Sequence, residues 1–228
     1  MYCNRIHSAF EGVEQGMTKL ILIRHGESLF NLEKRYTGQL DVPLTEKGLE
    51  QAKITADYLL KNYKIDEIYS SDLSRAIETA KPIAEPLGIK IKTDVRLREI
   101  YAGAWQGLLF SEVKEKHRED YELYKANPAT GRSTGGESMA DVLRRVHAAI
   151  LDIVRDNPEK TVLVSFHNGP LKALQAPLLG IGLNETKNLT NNSITEVDFD
   201  GDVCKIIRLG YDGHLGNLST GFTEKTAN

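Results

Sequence analysis

Cysteine is scarce here: Cys3 and Cys204 are the only two in 228 residues. So far apart, they offer neither a zinc-binding spacing nor a disulfide framework. They read as free thiols and lead to the expectation of a reducing, cytoplasmic setting. Long apolar runs are also missing, since none approaches the roughly 20 residues that a membrane-spanning helix needs. No excess of positive charge exists either, with 29 basic against 32 acidic residues and a net charge of -3. That balance leaves no nucleic-acid footprint and no polybasic membrane patch. An anionic ligand would need positive charge gathered locally. There is no fixed-period repeat, low-complexity tract or dividing linker. The first sixteen residues lack the apolar core of a signal peptide, because Ile6 to Phe10 is followed at once by Glu11 and Glu14. Regular patterning begins near Met17, a candidate start. Residues 1–16 are therefore expected to be a flexible extension, 17–212 one domain, and 213–228 a C-terminal tail.

What the chain does have is two short apolar runs that each end in a histidine. Leu20-Ile21-Leu22-Ile23 leads into Arg24-His25-Gly26-Glu27, and Val162-Leu163-Val164-Ser165-Phe166 leads into His167-Asn168-Gly169. A β-rich run without alternation reads as a strand buried on both faces. In open parallel α/β sheets, ligands bind beyond the carboxyl ends of the strands. Two strands could thus bring two imidazoles to one crevice, with glycines after them where a ligand can come close to the backbone.

Strand-like and helix-like segments alternate along the rest of the chain. Strands are expected at Lys19–Ile23, Glu67–Tyr69, Ile89–Ile91, Thr161–Phe166, Ser193–Phe199 and Val203–Leu209. Asp200-Gly201 between the last two is a hairpin signal. Helices are expected at Thr45–Lys61, with an apolar stripe of Leu49, Ala52, Ala56, Leu59 and Leu60, and at Asp72–Leu87, with Ser71 as N-cap. Shorter helical pieces fall near Leu109–Lys116 and Glu119–Lys125. Ser138–Asp156 and Pro170–Leu179 complete the set. The β-α-β order implies a three-layer α/β/α domain with a mostly parallel central sheet and an antiparallel edge strand. The segment from about 109 to 136 would form a helical cap insertion over the strand ends.

Four elements could carry chemistry. Arg24 can offer a planar fork to an anion beside His25, where free backbone N–H groups add to the field. Arg75, in Ser70-Ser71-Asp72-Leu73-Ser74-Arg75-Ala76, falls in the first turn of a helix, where the macrodipole disfavours a cation. His167 matches His25 in position. Glu99 lies in an aromatic, glycine-rich loop where a carboxyl could serve as a general acid. Each has an ordinary alternative: a polar strand end, a solvated arginine, a structural histidine, and a surface glutamate paired with Arg96 or Arg98. Residue types alone leave both readings open.

Taken together, Arg24-His25-Gly26-Glu27 with Asn31, Gly38 with Asp41 and Pro43-Leu44-Thr45, the Ser70 to Ala76 segment with Glu78-Thr79-Ala80, the Glu99 loop, Gly136-Glu137-Ser138 and His167 resemble the histidine phosphatase superfamily, the phosphoglycerate mutase-like clan. The resemblance runs from about Leu20 to Leu209. It implies that His25 is a nucleophile forming a transient phosphohistidine. It implies that Arg24, Arg75 and a protonated His167 hold the phosphoryl oxygens with help from Asn31, and that Glu99 protonates the leaving group. Thr37, Gly38 and Asn168 would join the substrate-binding set. No metal and no cofactor are implied, and the partner is a small phosphorylated substrate rather than nucleic acid or membrane. A homodimer is left open.

These roles suit phosphoryl transfer, where catalysis is largely positioning and electrostatic stabilisation of charge on three oxygens. Departures from the family pattern are Phe166 and Asn168 around the second histidine and Gln106 beside Trp105. They bear on substrate preference, as do Tyr36, Tyr101 and Trp105. The implied activity is metal-independent hydrolysis of phosphomonoesters. The alternative is a phosphoglycerate mutase, but such mutases usually carry a longer insertion after the acid loop than this chain has.

Overall fold

A computed structural model describes residues 16–201 and 203–220. The expected N-terminal extension lies, apart from Gly16, outside the described residues. In chain order the main elements are β1 (Thr18–Arg24), α1 (Leu29–Leu32), α2 (Glu46–Asn62), β2 (Glu67–Ser70), α3 (Ser74–Leu87), β3 (Ile91–Thr93), α4 (Phe110–Lys116), α5 (Arg118–Ala126), α6 (Met139–Asp156), β4 (Thr161–Phe166), α7 (Asn168–Leu179), β5 (Ile194–Asp200) and β6 (Val203–Tyr211).

The sheet order is β3-β2-β4-β1-β5-β6. β1 pairs in parallel with β4, β4 with β2, and β2 with β3, whereas β5 runs antiparallel to both β1 and β6. The expected hairpin therefore closes one edge. β1 shows why its apolar run does not alternate. Leu20 and Leu22 enter one core with the apolar faces of α6 and α7, while Ile21 and Ile23 enter the other. The second core is completed by Ala56 and Leu59 of α2 and by Ala80 and Ile83 of α3. Side chains that point to alternate faces must all be apolar when helices cover both faces.

Two helix expectations need correction. The buried stripe of α2 is Gly48, Gln51, Ala52, Thr55, Ala56 and Leu59, and Leu49 is exposed. Ser71 does not cap α3, which begins at Ser74. Its first turn is held instead by Asp41, whose Oδ1 accepts from Ser74 N at 2.8 Å and Ser74 Oγ at 2.7 Å. A carboxylate at a helix N-terminus meets both the unpaired N–H groups and the dipole.

The segment after residue 212 packs on the domain over its described part. His214 Nε2 lies 2.9 Å from Thr55 Oγ1, Gln51 Nε2 donates to the Leu218 carbonyl, and Leu215 is buried. Among the described residues no helix is long and apolar enough to cross a membrane.

Candidate active site

Parallel pairing sets the floor of the site. β1 and β4 lie side by side in register, with Arg24 opposite Phe166, so the next residues, His25 and His167, emerge together. Their ring centroids are 5.1 Å apart at 61°. His25 N donates to the Phe166 carbonyl, and the His25 carbonyl accepts from Asn191 Nδ2. His25 Nδ1 lies 2.7 Å from the Gly26 carbonyl. A carbonyl can only accept, so Nδ1 carries the proton and Nε2 keeps the free lone pair. Burial, then Arg75 and Arg24, push His25 well below the ordinary imidazole range, which keeps the ring neutral.

Gly26 serves packing rather than ligand approach. A Cβ there would fall 2.5 Å from the Gly48 carbonyl oxygen of α2.

Arg24 and Arg75 bring the positive charge. Both are buried, and Arg75 is completely so. Arg75 Nη1 and Nη2 donate to the carbonyls of Leu40 and Gly38 at 2.8 and 2.9 Å, and Arg24 Nη1 donates to Leu189 O. Desolvation pulls each guanidinium down to about 10, with Glu99 acting in the opposite direction, so both remain cations at neutral pH.

Arg24 Nε, Arg75 Nε and both ring nitrogens of His167 are buried without a hydrogen-bond partner among the described residues. Unmet buried polar groups are costly, and a cluster of them is the signature of a site built for a ligand. His167 departs from expectation in one respect. Burial, with Arg75, His25, Arg145 and Arg24, holds it well below the ordinary imidazole range, so it is neutral rather than a charged partner. Positive neighbours penalise a further positive charge.

Glu99 is not the surface ion pair of its ordinary reading. Arg98 pairs with Asp72, and Arg96 pairs with Asp94 and Asp152. Glu99 Oε1 instead accepts from Ile100 N at 2.8 Å and from Gly169 N at 2.9 Å, two residues after His167. A Cβ on Gly169 would lie 2.1 Å from that oxygen, so a side chain there would displace the Glu99 carboxylate. The loop behind it is fixed by Arg145, which sequence reading missed. Its guanidinium pairs with Glu137 and donates to the carbonyls of Arg96, Arg98 and Glu99. One of two consecutive arginines in an amphipathic helix, Arg144 and Arg145, gives no signal of such a role.

A cleft of about 570 Å³ meets this floor at Arg24, while His25, Arg75 and His167 are buried and do not line it. Of the residues named from the sequence, Arg24, Asn31, Thr37, Gly38, Glu99 and Asn168 line it. Asn31 Oδ1 is occupied by Ser28 N and Asn191 Nδ2, which leaves its Nδ2 as the available donor. The Asn168 amide is engaged with its neighbours: it donates to Asn188 Oδ1 and accepts from Leu189 N. The Leu189 carbonyl in turn receives Arg24, so Asn168 steadies that arginine at one remove.

Gln106 Oε1 accepts from Gln39 N at 2.7 Å and ties the Gly38 turn to the acid loop. Phe166 is buried in the core. Of the three aromatics expected to shape the cleft, only Tyr36 lines it. Trp105 packs inside the cap beside Ala102 and Val113, and Tyr101 is exposed. Tyr121 and Tyr124 of α5 take their place, with Lys114 of α4 and Lys172 of α7.

Comparison with known proteins agrees with this geometry. The chain is 37% identical over 204 residues to phosphoserine phosphatase 1 of Hydrogenobacter thermophilus, covering 89% of this chain and 96% of that one. It is 33% identical over 221 residues to phosphoglycerate mutase-like protein 4 of Arabidopsis thaliana, covering 94% and 96%. Among solved structures, a mycobacterial glucosyl-3-phosphoglycerate phosphatase complexed with VO3 superposes with a TM-score of 0.77. The identity there is 31%, over 85% of this chain and 99% of that one. The sequence pattern of the histidine phosphatase superfamily (branch 1) matches residues 20–212. With two histidines at adjoining strand ends, two buried guanidinium groups near them and a carboxylate on the wall, the chain belongs to that superfamily.

Proposed function

We propose that this protein is a phosphomonoesterase of small phosphorylated metabolites that works through a phosphohistidine on His25. The observation that carries the mechanism is the fixed tautomer of His25, whose Nδ1 is held by the Gly26 carbonyl among buried, partly unpartnered cationic donors. Nε2 attacks phosphorus along the line of the departing alcohol oxygen, and the P–O bond breaks as the N–P bond forms. Glu99 gives its proton to the leaving oxygen. A water then enters, Glu99 takes its proton, the water oxygen attacks phosphorus, and the N–P bond breaks to release phosphate and neutral His25.

Arg24 and Arg75 meet the charge on the equatorial oxygens throughout. A phosphate dianion in this floor reverses the field that keeps His167 neutral, so its protonation accompanies substrate binding. Asn31 Nδ2 adds a neutral donor. Relatives whose names refer to phosphoserine and glucosyl-3-phosphoglycerate support a small phosphorylated metabolite as substrate.

A mutase would use the same first step but return the phosphoryl group to the sister hydroxyl. Steady-state hydrolysis of an aryl phosphate, run beside 3- to 2-phosphoglycerate conversion, separates the two. Hydrolysis without conversion is expected, together with an acid-labile, base-stable phosphoprotein after rapid quench. Conversion without hydrolysis would overturn the phosphatase reading.

A further inference from the structure

Gln51 is buried in the inward stripe of α2, where Ala52, Ala56 and Leu59 supply ordinary core. A primary amide in such a place is costly unless its polar atoms are met. Here both ends are met, by different parts of the chain. Oε1 accepts from Glu27 N at 2.8 Å, and Nε2 donates to the Leu218 carbonyl and to Thr220 Oγ1, both at 2.7 Å. These partners settle which way the amide points. A backbone N–H can only donate and a backbone carbonyl can only accept, so a flipped amide would lose both. The approach is close because α2 carries Gly48 one turn earlier, where a Cβ would lie 2.1 Å from the Glu27 carbonyl oxygen.

Glu27 N belongs to the same peptide group as the Gly26 carbonyl. In a trans peptide the N–H and C=O point in opposite directions, and no peptide bond among the described residues is cis. Pinning the N–H end on Gln51 therefore aims the carbonyl end at His25 Nδ1, 2.7 Å away. The preceding peptide is held in the same manner, with Gly26 N on Thr79 Oγ1 and the His25 carbonyl on Asn191 Nδ2. Asn191 is anchored to the same C-terminal segment, since its N–H donates to the Thr220 carbonyl at 2.7 Å. Two buried amides stand between residues 218–220 and the loop of His25.

We propose that Gln51 is a positioning residue that sets the tautomer of His25, and that Leu218 and Thr220 of the C-terminal segment set the orientation of Gln51. Without the Oε1 acceptor the Gly26–Glu27 peptide is free to turn. The Gly26 carbonyl then no longer demands a proton on Nδ1, and a proton on Nε2 blocks attack on phosphorus. The effect on rate rests on the phosphatase reading above, whereas the effect on the tautomer does not.

Long-range nitrogen–proton correlation spectra of the isotope-labelled full-length protein read the tautomer directly, with the His25 signal assigned by its loss in His25→Ala. The wild-type protein should carry the proton on Nδ1, and Gln51→Leu should show a mixture of tautomers. In Gln51→Leu, kcat on an aryl phosphate should fall about 10- to 100-fold, while inhibition by inorganic phosphate, held by Arg24 and Arg75, changes by less than about twofold. Gln51→Glu keeps an acceptor for Glu27 N, so it should retain the tautomer and most of kcat even though a buried carboxylate lowers stability more than leucine does. Activity that instead followed stability, with Gln51→Leu above Gln51→Glu, would overturn the assignment, as would a Gln51→Leu protein with the wild-type tautomer. If Gln51→Leu does not fold, Thr220→Val decides, because it takes away one acceptor at the half-buried end of the network. It should lower kcat about two- to fivefold with a matching change in tautomer, and wild-type values of both would sink the proposal. An aryl phosphate left untouched by the wild-type protein would refute the phosphatase reading, and the tautomer comparison would still decide the role of Gln51.

Discussion

The floor and the wall of this cleft are built by opposite means. The floor consists of His25, Arg24, Arg75 and His167, all buried, at the ends of two central strands and the start of one long helix. Arg24, His25 and His167 sit at the ends of paired strands, and carbonyls at 2.7 to 2.9 Å orient His25 and Arg75. The wall over it comes from α4 and α5, and α5 has no buried residue at all. The small cap core is Ala102, Trp105 and Val113, with tyrosines packed around it. The contrast divides the work. Charge stabilisation needs donors that do not reorganise during reaction, and only a deeply packed frame gives that. Selecting an alcohol needs varied, half-exposed side chains, and short surface helices supply those at little cost to the fold.

The largest way to break this division is to remove the nucleophile. His25→Ala should lower kcat by roughly 10⁴-fold or more and abolish the quenched phosphoprotein, because the remaining donors hold phosphate but cannot form the covalent bond. Residual turnover within tenfold of wild type would show that the floor only binds. Next comes the junction between floor and wall. Gly169→Ala places a methyl group 2.1 Å from Glu99 Oε1, so the carboxylate must move. A misplaced general acid should cost about 10²-fold on alkyl phosphates. The loss should be much smaller on p-nitrophenyl phosphate, whose leaving group needs no proton. Equal losses on both would assign the damage to the fold rather than to the acid.

How much of this was legible in the sequence follows the same division. The sheet could be read because Leu20 to Ile23 is apolar at every position, which only a strand covered on both faces requires. The floor could be read because its residues sit at strand ends and in a spaced set of motifs. Leu49 misled because helical periodicity allows two registers, and α2 turned its small and polar residues Gly48, Gln51 and Thr55 inward against the Gly26 loop and the C-terminal segment. The roles of Arg145 and Asp41 were invisible because they are contacts with elements distant in the chain, and nothing near them in the sequence marks those contacts. That His167 rests neutral before a ligand binds was not legible for a related reason. Its neutrality follows from burial and from cations that only the folded chain brings close.

A smaller effect sharpens the comparison by titration. His25 and His167 are neutral in the fold and held well below 6.5, while in the unfolded chain they protonate near that value. As pH falls below 6.5 the unfolded state binds protons that the native state refuses, so stability falls with pH. The slope approaches about 1.4 kcal/mol per pH unit for each histidine. Urea midpoints measured from pH 7.5 to 5.5 should drop accordingly, and His167→Gln should flatten the curve. The cap carries no histidine so deeply buried, so substitutions confined to α4 and α5 should leave the slope as it is. A flat wild-type curve would mean that the floor is open enough to protonate freely.

The smallest expected effect is that of a chelator. Phosphoryl transfer needs positive charge near the equatorial oxygens, and Arg24 and Arg75 hold theirs inside the floor at neutral pH. Neither guanidinium has a carboxylate partner within ion-pair distance among the described residues, so their charge is available to the ligand. Exhaustive dialysis against a strong chelator should therefore change kcat/KM on an aryl phosphate by less than twofold. A larger loss, restored by adding a divalent cation, would mean that the floor lacks part of its charge, and the contrast drawn between a complete floor and an adaptable wall would have to be redrawn.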